Sequence, residues 1–332
     1  MISPFTGGEA ILKKEPREVD FRGSKFHIVH HHYQCVDTGE TFTDTDLDEL
    51  NLNQVYNKYR EKEGIPFPDE IVANRKQYDL PATKMSQLLG FGVNMYGKYE
   101  AGEIPNSSNG RLITICKDPE IFRNYFNLNK SHQFTEKERE TILKKIERAI
   151  EYKQQNYGFE LDKYAALGNT DRGIFTGYKE PSLRKVREVV VYFAKLCSPF
   201  VTKMNKLLFY ADFLHYKRTG FSITGVTYLA IPKGPVPQRY DGLYCNVSDM
   251  VERKEEFFSD EIVGDRLISL KEFDRTLFNP EELKTLEIVA NRFKKTSTKD
   301  IVNISHTEPA WLENEKDRNC ISYQFAFELQ AL

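Results

Sequence analysis

The chain is poor in several features that would have narrowed its class at once. One tryptophan, Trp311, stands among 332 residues. The five cysteines (Cys35, Cys116, Cys197, Cys245, Cys320) are odd in number and widely spaced, with no Cys-x-x-Cys pair. That argues against a disulfide framework and suits a reducing cytoplasm. No apolar run approaches the roughly 18 residues of a membrane span. The opening Met1-Ile-Ser-Pro-Phe-Thr-Gly-Gly lacks the basic and apolar regions of a signal peptide, so a cytoplasmic location without a membrane partner is expected. The net charge of −2 excludes a globally polybasic nucleic-acid binder, and any DNA contact must come from a local surface. There is no Gly-x-Ser-x-Gly elbow, Walker loop, His-Glu-x-x-His helix or dinucleotide fingerprint. The expectation is therefore no enzyme and no cofactor. Ser305-His306 and Glu308 are neighbours on the chain, which leaves an acid/base site open, but a triad is defined by geometry.

What is present is ordinary core material, 40% hydrophobic with 18 Tyr and 23 Phe, enough for two or three domains. The fold class expected is α+β and mainly helical. A small β-hairpin module occupies 1–64, a five-helix domain 65–130, a helical connector 131–181 and an α+β domain 182–332. Residues 9–36 read as strand on either side of Arg22-Gly23-Ser24, and 43–62 as helix. Gly64-Ile-Pro-Phe-Pro marks a boundary. After a polar joint at 128–134, Thr135 with Glu138 forms a capping box for a long helix. Residues 158–181 read as a linker or an irregular approach to the last domain. Two amphipathic helices follow, separated by Ser198-Pro199. Strands are expected at 221–232, 252–258 and 266–271, the last two around an acidic turn. Asn279-Pro280-Glu-Glu282 opens another helix.

Between 69 and 99 three short helices are expected, 69–77, 83–89 and 93–99, with Gly90-Phe-Gly92 as the turn between the last two. A short glycine turn sets two helices steeply enough for one to enter the major groove. This stretch resembles the Xre-like helix-turn-helix of MqsA-type antitoxins. The resemblance implies operator DNA as a partner, with Asn94 and Lys98 on one face of the recognition helix and Tyr96 between them. Asn can bridge adenine and Lys can meet guanine or phosphate. Thr83 and Lys84 are candidates for backbone contacts. Residues 66–130 hold eight Lys/Arg against seven Asp/Glu, a net of +1, so dimerisation would be needed to multiply phosphate contacts.

Ser3-Pro-Phe-Thr6-Gly-Gly and Cys35-Val-Asp-Thr38-Gly-Glu resemble the two zinc knuckles of the same family. Three of the four ligand positions carry hydroxyls, which are poor zinc donors, so the outline is expected to persist without metal. His27, His30, His31 and His32 with Cys35 form a rival cluster. On a strand His30 and His32 share one face while His31 points to the other, so at most a partial set converges, and polar, partner-facing histidines are expected rather than a metal site.

From about 183 onward three segments resemble the Panacea domain of SocA-type antitoxins. They are Thr202-Lys-Met-Asn-Lys-Leu-Leu-Phe-Tyr210-Ala-Asp, Pro232-Lys-Gly-Pro-Val-Pro and Ile304-Ser-His-Thr-Glu-Pro-Ala-Trp311. What the resemblance implies is neutralisation of a cognate protein toxin by direct binding. Lys203, Lys206, Tyr210, Lys233, Pro235 and Trp311 are the candidate partner-binding residues. Residues 182–218 carry eight Lys/Arg and two acids, an excess of +6. An acidic toxin could be steered there, or the charge could be solvated helix faces. A stand-alone helix-turn-helix regulator with a C-terminal sensor or oligomerisation domain is the alternative reading.

Overall fold

Arg22 and Gly23 both take positive φ, 49° and 78°, the backbone that a two-residue hairpin turn demands. They join β1 (Ala10–Phe21) to β2 (Ser24–Cys35), and β3 (Thr41–Phe42) adds to β2 with Tyr33 opposite Phe42. α1 (Thr45–Glu63) begins where Asp44 Oδ1 accepts the Leu47 N–H at 2.9 Å. Five short helices follow: α2 (Pro68–Gln77), α3 (Ala82–Leu88), α4 (Met95–Glu100), α5 (Ser107–Ile115) and α6 (Pro119–Leu128). α7 (Glu136–Gln155) starts at the expected capping box of Thr135 and Glu138. α8 (Tyr157–Leu167) occupies much of the expected linker and stops at Gly168, whose φ is 79°.

α9 (Leu183–Cys197) and α10 (Val201–Thr219) are parted at Ser198, which adopts φ 40°. Then come β4 (Tyr228–Ile231), β5 (Gly234–Pro237), α11 (Tyr240–Cys245), β6 (Val251–Ser259) and β7 (Ile262–Ser269). Asn279 and Glu282 cap α12 (Pro280–Phe293) reciprocally, as expected. α13 (Thr298–Ser305), α14 (Pro309–Leu312), β8 (Cys320–Ile321) and a 3₁₀ turn at Tyr323–Glu328 complete the chain. β4 lies between β5 and β8, and β6 pairs with β7 alone. The protein is α+β and mainly helical.

This computed structural model describes residues 1–128, 134–168, 171–259 and 262–332. Most of the joint expected at 128–134, with the boundary inside it, lies outside the described residues, as do 169–170 of the linker and 260–261 of the acidic turn. Among the described residues no helix is long and apolar enough to cross a membrane. The chain divides into two compact units, one formed by 1–15, 31–53 and 160–332 and the other by 16–30 and 54–159.

In the second unit the main core gathers Ile71, Tyr78, Met85, Tyr96, Phe122 and Ile146 from α2 to α7. A smaller cluster joins Phe26, Ile28, Val55 and Tyr59. In the first unit the core is built on α10. Residues 203–216 are buried without a break, because α9, α12, α13, β5 and the terminal 3₁₀ turn all pack on it. An amphipathic helix with a basic outer face was the expectation; the helix is enclosed on every side.

The strand expected over 221–232 shortens to β4. Asp212, fully buried on α10, accepts N–H bonds from Ile223 (2.9 Å) and Thr224 (2.8 Å) and hydroxyl bonds from Thr224 and Tyr228. A loop wrapped round a carboxylate sends its N–H groups inward, and they are then unavailable to a strand ladder.

Candidate functional site

The β4–β5 turn is Pro232-Lys233, and β5 opens on Gly234 at φ 90°, a conformation that favours glycine. A methyl group placed on Gly234 would stand 2.5 Å from Ser305 Oγ and 2.7 Å from Lys206 Cε. Side chains of α10 and α13 thus rest directly on this backbone. Lys206 is fully buried, and its Nζ donates to the Pro235 carbonyl at 3.0 Å. Burial, reinforced by the charge of Lys233, lowers its pKa to about 7, because an ammonium loses its hydration there.

Ser305 Oγ donates back to Val302 O at 2.8 Å. The His306 ring lies flat on Trp311, centroids 3.9 Å apart and planes 12° from parallel. The Trp311 indole N–H donates to Ile231 O at 2.8 Å and so ties the α13–α14 corner to β4. Burial and then Lys206 hold the His306 imidazole below its ordinary pKa. Glu308 is buried and accepts from Tyr210 Oη at 3.2 Å, Gln330 N at 2.8 Å and Ala331 N at 3.0 Å. Ser305 Oγ and the Glu308 carboxylate are thus bonded to separate partners, while the buried His306 Nε2 has none, and no hydrogen bond links the three.

α10, the β4–β5 turn and the α13–α14 corner, remote in sequence, meet around Lys206. Residues 204–312 match the family described as antitoxin SocA-like, Panacea domain. Comparison with curated proteins and with solved structures returned no match. The match covers about a third of the chain and supports an antitoxin role in general.

Within the Panacea-matched segment the residues expected to touch a partner divide. Lys206, Tyr210 and Pro235 are interior. So is Lys203, just before the segment, whose Nζ donates to Thr296 O at 2.7 Å. Their contacts are within this chain, because a helix buried on all sides has no face for a partner. Lys233 is exposed and Trp311 half-buried.

The basic excess of 182–218 is likewise spent internally. Lys185 meets Glu282, Arg187 Asp249 and Arg218 Glu281, each at 2.6 Å; Arg184 approaches Asp274 at 3.8 Å, and Lys195 pairs with Glu272. Lys203, Lys206 and Lys217 bond backbone carbonyls. The surface expected to steer an acidic toxin is neutralised by acids 62 and more residues downstream. Sequence reasoning also missed Asp212 and Glu308 as organisers of buried networks; a lone acid amid apolar residues was the available signal.

In the second unit Thr83, Asn94 and Lys98 are exposed, and among the described residues Lys98 makes no ion pair. Lys84 is half-buried, shared between Gln87 and Glu138 at 3.2 Å each. Asn94 takes φ 63° and stands before α4, so the helix expected from 93 begins at Met95. Asn tolerates this left-handed geometry better than other side chains. The Lys98 N–H still bonds Asn94 O at 3.2 Å. Tyr96 is fully buried, its hydroxyl donating to Ile71 O at 3.0 Å, and its place is in the core rather than on DNA.

The two N-terminal loops share one hydrogen-bond pattern. Gly7 N bonds Ser3 O at 3.0 Å and Ser3 N bonds Gly8 O at 2.8 Å; Gly39 N bonds Cys35 O and Cys35 N bonds Glu40 O, both at 2.9 Å. Gly7 and Gly39 both adopt φ 75°. Thr6 Oγ1 lies 3.6 Å from the buried Cys35 Sγ. Hydroxyl hydrogen bonds from Ser3, Thr38 and Thr6 lower the Cys35 pKa to about 6. Of the neighbouring histidines, His31 and His32 are buried rather than partner-facing, and His31 packs on Phe327 with centroids 4.8 Å apart.

Proposed function

We propose that this chain is the antitoxin of a toxin–antitoxin pair. It binds a cognate protein toxin through residues 182–332 and its own operator through the helix-turn-helix of 65–130, with dimerisation doubling the DNA contacts. The observation that carries the reading is the match of 204–312 to an antitoxin domain, whose three motif segments meet around the buried Lys206. The DNA half rests on α3 and α4, which pack together across the turn 89–94 and leave Thr83, Asn94 and Lys98 facing solvent.

The direct test is genetic. The product of the gene beside this one should arrest growth when expressed alone, and co-expression of the full chain should restore growth and yield a co-purifying complex. A chain that rescues nothing, while residues 1–130 alone account for its biological activity, would instead support the stand-alone regulator.

A further inference from the structure

The unit containing 160–332 carries a trough of about 670 Å³ between α9 and α12. Its floor is Tyr192 and Leu196 from α9, Phe273 and Leu283. Tyr192 and Phe273 pack with centroids 5.0 Å apart, yet Leu196 remains 45% exposed. α12 and the residue that caps it line the trough with Pro280, Leu283, Lys284, Glu287, Asn291 and Lys294, whose spacing is one face of a helix along its whole length. At 1.5 Å per residue that wall is about 20 Å long, enough for some four turns of a partner helix.

The charge at its edge is one-sided. Arg275, Lys284 and Lys294 line it against Glu287, and Lys284 also approaches Glu281 at 3.9 Å. Arg292 in the last turn of α12, and Lys295 and Lys299 beyond its end, are exposed; Arg292 Nε donates to Ala331 O at 3.3 Å, and none of the three is in an ion pair among the described residues. This contrasts with the basic residues of 182–218, which are all engaged inside the chain. In a protein of net charge −2, an unneutralised basic cluster beside an apolar floor favours an acidic partner.

We propose that this trough receives an amphipathic helix of the toxin, its apolar stripe on Tyr192, Leu196 and Phe273 and its carboxylates against Lys294, Lys295 and Lys299. The mode is a helix laid in a hydrophobic groove. The inference rests on the antitoxin reading and names the surface through which it acts.

The test measures affinity between the full chain and the growth-arresting product of the adjacent gene. Leu196→Asp should weaken the complex at least about tenfold, as expected for a central apolar contact. Lys294→Glu combined with Lys295→Glu should slow association and flatten its salt dependence. Phe257→Asp, at an apolar position outside the trough and 73% open to solvent, should change nothing. Leu196, Lys294 and Lys295 are all on the surface, and circular dichroism checks that the variants fold. If the wild type binds no such product, the antitoxin reading falls and this one with it. Should the wild type bind while Leu196→Asp binds equally well, the trough is overturned and the antitoxin reading stands. Loss of self-association with toxin binding intact would assign the trough to a second copy and likewise overturn it. An unaffected charge-reversal variant would refute the acidic helix.

Discussion

Trp311 stacks on His306 at 3.9 Å, and it is the chain's single tryptophan. Its fluorescence therefore reports on one imidazole. The ordinary pKa of histidine is near 6.5; burial and Lys206 depress that of His306. A protonated imidazole quenches indole emission, so emission should stay level from pH 8 to 6.5 and fall only in more acid solution. His306→Gln should remove the transition. Quenching centred above pH 6.5 would contradict the assigned environment.

Lys206 carries a larger linkage. Its folded pKa of about 7 lies below the ordinary lysine value of 10.5, so the unfolded chain binds the extra proton between these limits. Stability must rise with pH across this window and level off above it, while below about pH 7 the full penalty of a buried ammonium applies. The penalty is on the order of a few kcal/mol. Urea unfolding of wild type and Lys206→Met at pH 7 and pH 10 should show the wild type gaining more from the change than the variant, which keeps the other burial-depressed lysines, Lys203 and Lys217 among them. Equal slopes would mean that the amine keeps its water.

Gly234→Ala should be among the most damaging small substitutions. It combines a φ of 90° with an oxygen 2.5 Å from the new methyl, and strain plus overpacking costs roughly 2–4 kcal/mol. Adding Ser305→Ala should recover only part of the loss, because the backbone strain persists. Full recovery in thermal unfolding would place the cost in the clash alone.

The N-terminal loops should accept a metal once given ligands. Ser3, Thr6 and Thr38 surround Cys35, and zinc favours four thiolates in a tetrahedron. The variant S3C/T6C/T38C is expected to purify with one zinc per chain, read by elemental analysis, well above the wild-type level. No gain in zinc would show that the hydroxyls do not stand where ligands would.

In the DNA-binding half, Asn94→Ala and Lys98→Ala should weaken operator binding without reducing rescue from the toxin. Tyr96→Phe deletes one buried hydrogen bond, to Ile71 O, and should cost about 1 kcal/mol of stability while leaving DNA affinity near wild type. Gel shifts and thermal unfolding separate the two. A Tyr96→Phe chain that folds normally yet loses the operator would return Tyr96 to the DNA surface.

Helix starts were legible from residues alone. Thr135 with Glu138 and Asn279 with Glu282 satisfy N–H groups within three residues of themselves, and local bonds depend on local sequence. The Arg22-Gly23 turn belongs with them. Tertiary structure alone decided which charges remain available. Lys185, Arg187 and Arg218 look like surplus cations until Glu282, Asp249 and Glu281 arrive from more than 60 residues away. It also drew Lys206 and Tyr96 into the interior, because burial depends on what packs around a side chain, and for these two the packing comes from distant segments.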